Sequence, residues 1–202
     1  MATARKPAIV EVKGKRVAVL GYVNAYPFEF FADESQPGTV RGKPEYFVDD
    51  IRKAKRNADF VIATFHWSGE LVTEPREYQE LFGHLAIDAG ADLVFGHHPH
   101  ILQGIEVYNG RLIAYSLGNF AFASYSKDAL TSAILRVTFE NNGIKRAEII
   151  PLNVFNEEVA FQPRVLNDEA AEAVINEVRT LSEKWHTKLT MEGNLGVIQI
   201  KP

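Results

Sequence analysis

Two alternating stretches open the chain, AIVEV and RVAVLGY, with Gly14 in the KGK segment between them, and this pattern predicts a β-hairpin. Residues 21–44 are rich in Pro, Gly and aromatics and are expected to be a loop. In EYFVDDIRKAKRNA the apolar Phe47, Ile51 and Ala54 share one helical face, opposite the charges. DFVIATFH is a short apolar run, the pattern of a strand covered on both faces. EPREYQELFGHLAIDAG predicts a helix, with Pro75 in its first turn, Tyr78, Leu81, Phe82 and Leu85 as its stripe, and Gly90 at its end. ADLVFG is a second buried strand, so residues 59–96 form a strand–helix–strand unit with the two strands parallel. Beyond it, GIEVYNGRLIAYSLG and SAILRVTFENNGIKRAEIIPLNVF predict hairpins around Asn109-Gly110 and Asn142-Gly143. The tail is expected to hold one helix over residues 168–184, with Val174, Ile175, Val178 and Leu181 as its stripe. Strands alternating with helices and then giving way to hairpins predict a layered α/β fold.

Composition narrows the function classes. The chain has 202 residues, 46% hydrophobic and 24% charged, which is ordinary for a globular protein. It is expected to divide into a domain over residues 1–163 and a helical appendage over 164–202. A formal net charge of −4 gives no electrostatic reason to expect nucleic-acid binding. There is no cysteine, which excludes disulfides and thiolate metal sites. The first residues lack the apolar core of a signal peptide, and no stretch reaches the ~20 apolar residues of a membrane span. The chain as given therefore reads as soluble.

Chemistry concentrates in VFGHHPHILQG, where three of the six histidines, His97, His98 and His100, fall within four residues. In an extended segment His98 and His100 point the same way and His97 the other. They lie just past a buried strand, where ligands of open α/β sheets collect, and His66 ends the neighbouring strand. Strand ends ~5 Å apart allow His66, His98 and His100 to converge on one divalent transition ion, zinc, manganese or iron. His97 is expected behind them, His84 as a packed helix residue, and His186 without a role.

Three motifs carry a family resemblance: HWSGE at residues 66–70, DAGADLVFGHHPH at 88–100 and YSLGNFAF at 115–122. Residues 6–122, and more loosely those to 163, resemble the C-terminal half of the capsule-synthesis CapA family, associated with poly-γ-glutamate and capsule production in bacteria. The resemblance implies a calcineurin-like metallophosphatase fold, a four-layer α/β/β/α sandwich, here partial. It implies His98 and His100 as metal ligands from Gly-x-His-x-His, and His66 as the histidine supplied by the preceding strand. Glu70 and Asn119 fall in family motifs near the site. Glu70 reads equally as a solvated loop carboxylate, and Asn119 more simply as a turn cap.

The chain departs from that family in one respect. The resemblance implies further ligands from an N-terminal half: an Asp-x-His, a bridging Asp and an Asn-His pair. The sequence contains no Asp-x-His, and GNF places Phe120 where a ligand histidine is expected. The chain is accordingly expected to be half of a hydrolase, from a split gene, a mis-called start or a remnant, holding one ion at most and turning over little alone. A separately encoded N-terminal half or other capsule-synthesis proteins are the expected partners, self-association is expected, and the family points to the cell envelope. The alternative is a non-catalytic metal-binding or scaffold subunit of a polymer-export complex, or an inactive remnant. An acidic polymer calls for a basic groove, and the sequence offers only scattered Arg and Lys, with Arg76, Arg111 and Lys127 near the loops.

Overall fold

The computed structural model describes residues 1, 3–25, 27–122, 125–140 and 143–200. β1 (Ala8–Val12) and β2 (Lys15–Val23) form the expected hairpin, with Lys13 and Gly14 both left-handed at φ 51° and 72°, as a two-residue turn of type I′ needs. β2 then runs parallel to β3 (Phe60–His66), β3 to β4 (Leu93–His97) and β4 to β6 (Arg111–Ala114). β5 (Ile105–Tyr108) closes this sheet antiparallel to β6 through the Asn109-Gly110 turn, giving six strands in the order β1-β2-β3-β4-β6-β5. The strand–helix–strand unit read from residues 59–96 is present, and its strands are parallel.

Helices α1 (Pro44–Lys55) and α2 (Glu77–Asp88) pack on one face of the sheet. α1 buries Phe47, Ile51 and Ala54 against Leu20, Val61 and Phe65. The stripe read for α2 is partly wrong. Tyr78, Phe82 and Leu85 pack on the core, but Leu81 is 54% exposed. The close approach comes instead through Gly83, where an added Cβ would lie 3.0 Å from Ile113 Cγ2, and a larger residue would hold the helix off the sheet.

The other face of the first sheet meets a second, five-stranded sheet. It contains β7 (Thr131–Glu140), β8 (Gly143–Asn153), β9 (Arg164–Val165), β10 (Leu189–Glu192) and β11 (Leu195–Ile198). β7 and β8 pair as the expected hairpin, although Asn141 and Asn142 at its tip lie outside the described residues. A short helix α3 (Asn156–Val159) follows β8. One apolar cluster joins Leu93, Leu112 and Ala114 of the first sheet to Ala133, Ala147 and Ile149 of the second and to Val174 and Val178 of α4 (Asp168–Leu181). The protein is thus an α/β sandwich of two sheets.

The tail is more than one helix. α4 is followed by a short 3-10 turn, Glu183–Trp185, and then by the β10–β11 hairpin, which joins β8. At the end of the first sheet, the outward N–H groups of Ile105 and Val107 donate to Ser182 Oγ (2.9 Å) and Thr187 Oγ1 (3.2 Å). At the opposite end, among the described residues, β1 pairs with β2 alone, and its Ile9, Val10 and Val12 are 44%, 51% and 51% exposed. Among the described residues, no helix is long and apolar enough to cross a membrane.

Candidate functional site

The C-terminal ends of β2, β3 and β4 stand in register, with Val23 beside His66 and His66 beside His97. Backbone bonds carry this alignment past the strands: Asn24 N donates to His66 O at 2.7 Å, and Trp67 N to His97 O at 3.1 Å. Trp67 is fully buried, and its indole Nε1 donates across Gly96 to Tyr115 O at 2.9 Å. A Cβ at position 96 would lie 2.1 Å from that nitrogen, so only glycine admits the crossing.

Beyond the strands both loops turn sharply. The GHHPH segment is not extended, as its sequence suggested. His98 and His100 have φ of 98° and 64°, a left-handed backbone that side-chain-bearing residues seldom adopt. Ser68 and Leu71 in the facing loop are also left-handed, and Leu71 N donates to Pro99 O at 2.9 Å, tying the two turns together. The convergence of histidines therefore arises from a bend rather than from strand alternation.

The turns bring Glu70, His98 and His100 together, with one ligand atom from each lying within 4.8 Å of the others. His66 stands beside this group, its ring 4.6 Å from that of His98, but is not within the mutual set. His97 is outside the mutual set and exposed, with its ring edge-on to Phe95 at 5.0 Å. Asn119 is buried and does more than cap a turn: its Oδ1 lies within hydrogen-bond distance of His100 Nδ1, at 2.8 Å. The ring of Phe122 packs on the ring of His100 at 5.0 Å. His84 takes no part, since it is bonded on α2 to the buried Glu106 at 2.9 Å, and His186 is exposed in the tail.

Burial, and then the neighbouring His98, His97 and His100, pushes His66 down to about 4. Burial likewise lowers His98, with His100 adding to the effect and Glu70 opposing it. Both rings are therefore neutral at ordinary pH, the form that binds metal. An open cleft of about 710 Å³ adjoins the group, lined by Asn24, Ser68, Glu70, Arg76, Tyr78 and His98. Of the scattered cations near the loops, Arg76 reaches this cleft, Arg111 is paired at 3.3 Å with Asp92, and Lys127 is exposed on a loop. The aspartates of VDD and ADL are committed elsewhere: Asp50 binds Arg5 at 2.7 Å, and Asp92 also binds Lys55 at 2.6 Å.

Two imidazoles and a carboxylate within this radius form a donor set suited to a divalent transition ion. The HWSGE motif puts Glu70 near the site without marking it as a ligand. Its spacing four residues after His66 is legible, but the left-handed turn at Ser68 that carries it back towards His98 is not.

The profile of the bacterial capsule synthesis protein PGA_cap matches residues 1–124, a span that contains every residue of this group. The chain belongs to that family. Among PGA_cap relatives, it is 37% identical over 150 residues to the PGA biosynthesis protein CapA of Bacillus subtilis, covering 74% of this chain and 40% of that one. It is 38% identical over 147 residues to the capsule biosynthesis protein CapA of Bacillus anthracis, covering 71% of this chain and 36% of that one. This PGA_cap chain thus spans well under half the length of either relative. Among solved structures it is similar to the Thermus thermophilus sulfate thiohydrolase SoxB in complex with glycerol, with a TM-score of 0.49 and 18% identity over 87% of this chain and 28% of that one.

Proposed function

We propose that this PGA_cap chain provides the histidine–carboxylate part of a metal-dependent hydrolase, of phosphoesterase type, that serves bacterial capsule or poly-γ-glutamate synthesis. The observation that carries the reading is the convergence of Glu70, His98 and His100 within 4.8 Å at the mouth of the parallel strands. His98 and His100 offer imidazole nitrogens, Glu70 a carboxylate oxygen, and His66 a further imidazole beside them. A divalent ion held there would supply Lewis acidity to an anionic oxygen and lower the pKa of water. Arg76, in the adjoining cleft, offers a guanidinium to the anionic group of a substrate.

One observation favours a second reading, a non-catalytic metal-binding or scaffold subunit. Among the described residues, Glu70, His98 and His100 are the single such group, and no second carboxylate converges there to bridge two ions. Metal analysis of the purified chain, beside a His98→Ala, His100→Ala double variant, tests the site common to both readings. The expected result is a single tightly held ion in the wild type and at least ~10-fold weaker binding in the variant. Equal, negligible metal in both would overturn it. Hydrolysis of a chromogenic phosphodiester separates the readings. The chain alone is expected to turn over little, and activity should appear when it is mixed with a separately made N-terminal half. Continued inactivity of the mixture selects the non-catalytic subunit.

A further inference from the structure

The YSLGNFAF segment, residues 115–122, contributes no atom to the Glu70, His98 and His100 group, yet it bears on two of the site's histidines from behind. Its first residue presents a carbonyl to Trp67 Nε1 at 2.9 Å, which anchors the residue directly after His66. Asn119 Oδ1, an amide oxygen and therefore an acceptor, lies 2.8 Å from His100 Nδ1, and Phe122 lies against the same ring. Gly118, at φ 76°, makes the turn that aims Asn119. A Cβ there would meet Ser132 Cβ at 2.8 Å, so the turn is fixed both by its backbone angle and by its packing. Asn119 itself is 7% exposed, so it competes little with solvent for its bond to His100.

We infer that Asn119 is a positioning residue: by accepting the Nδ1 proton of His100 it fixes that ring's tautomer and presents Nε2 as the metal-binding nitrogen. The bond made by one imidazole nitrogen decides which form the other takes. An acceptor that holds the ring in place also sharpens ligand geometry, and losing such a partner costs ~10–100-fold in metal affinity. The inference deepens the metal-site reading and rests on it only for the identity of the ligand nitrogen's occupant. The tautomer is a property of the metal-free protein.

The test reads the two separately. Long-range 1H–15N NMR of the metal-free wild type reports which nitrogen of His100 carries the proton, and zinc titration against a competing chelator reports affinity. The wild type is expected to show the Nδ1–H form. Asn119→Leu, close in size but without an acceptor, is expected to populate the Nε2–H form and to bind zinc ~10–100-fold more weakly. Asn119→Asp keeps an acceptor and is expected to retain the Nδ1–H form and bind zinc at least as tightly as the wild type, a rescue that a purely structural role would not give. An Nε2–H tautomer in the wild type, or an unchanged tautomer in Asn119→Leu, overturns the inference, and the wild-type spectrum alone decides if the leucine variant does not fold. A wild type with the Nδ1–H form that binds no zinc overturns the metal site and leaves the positioning of His100 standing.

Discussion

His66 shows how a single side chain reports on its setting. Burial and its histidine neighbours hold it at about 4, against an ordinary 6.5. Between those two values the unfolded chain binds a proton that the folded chain refuses, so the metal-free fold loses stability as pH falls from about 6.5 to about 4. Thermal melts of the metal-free protein across that window should show a falling midpoint, and His66→Gln should flatten the fall. Equal slopes for the two proteins would count against the assigned environment. At this scale the sequence was partly transparent. His66, His98 and His100 stood out because strand ends and histidine spacing are visible in one dimension. The placement of Glu70 was hidden because the left-handed turns at Ser68 and Leu71 occur at residue types that rarely mark such turns. Asn119 read as a turn cap because its partner, His100, lies nineteen positions away in the chain and is reached only through tertiary packing.

At the scale of elements, the hairpins and the parallel unit were legible, since alternation, Asn-Gly dipeptides and buried apolar runs are local features. Leu81 misled because helical periodicity identifies a face but not how closely that face approaches the sheet, and Gly83 sets that distance. β10 and β11 were missed although each, at four residues, is as long as β5 and β6. Their turn, Gly193-Asn194, is itself a recognised hairpin dipeptide. The crossing of β4 by the Trp67 side chain gives a sharper test of how elements position the site. Gly96→Ala places a methyl group where the indole and the Tyr115 carbonyl meet, so one of them must move. A loss of ~1–3 kcal/mol is expected from such overpacking, read as a lowered chemical-denaturation midpoint, together with a red-shifted Trp67 emission as its bond breaks. An unchanged midpoint and spectrum would show that the crossing is loose.

At the scale of the whole molecule, the first sheet is finished differently at its two ends. β5 is sealed by hydroxyls from the tail, whereas β1 leaves Ile9, Val10 and Val12 in solvent on an unpaired edge. Sedimentation of the purified chain is expected to show concentration-dependent association, and Val10→Lys, which puts a charge on that edge, should shift the protein towards monomer. A wild type that stays monomeric at all concentrations would contradict this. The sealed end limits what such association can build. A sheet open at both ends adds copies head to tail without limit, as a filament does, but this one has a single adhesive side. Two copies joined β1 to β1 use up both open edges and present only capped ones, so assembly through this sheet stops at a closed, two-fold pair. Ser182 and Thr187 already occupy two outward N–H groups of β5 that a further strand would need, so in such an assembly the tail, and not a neighbour, finishes that end of the sheet.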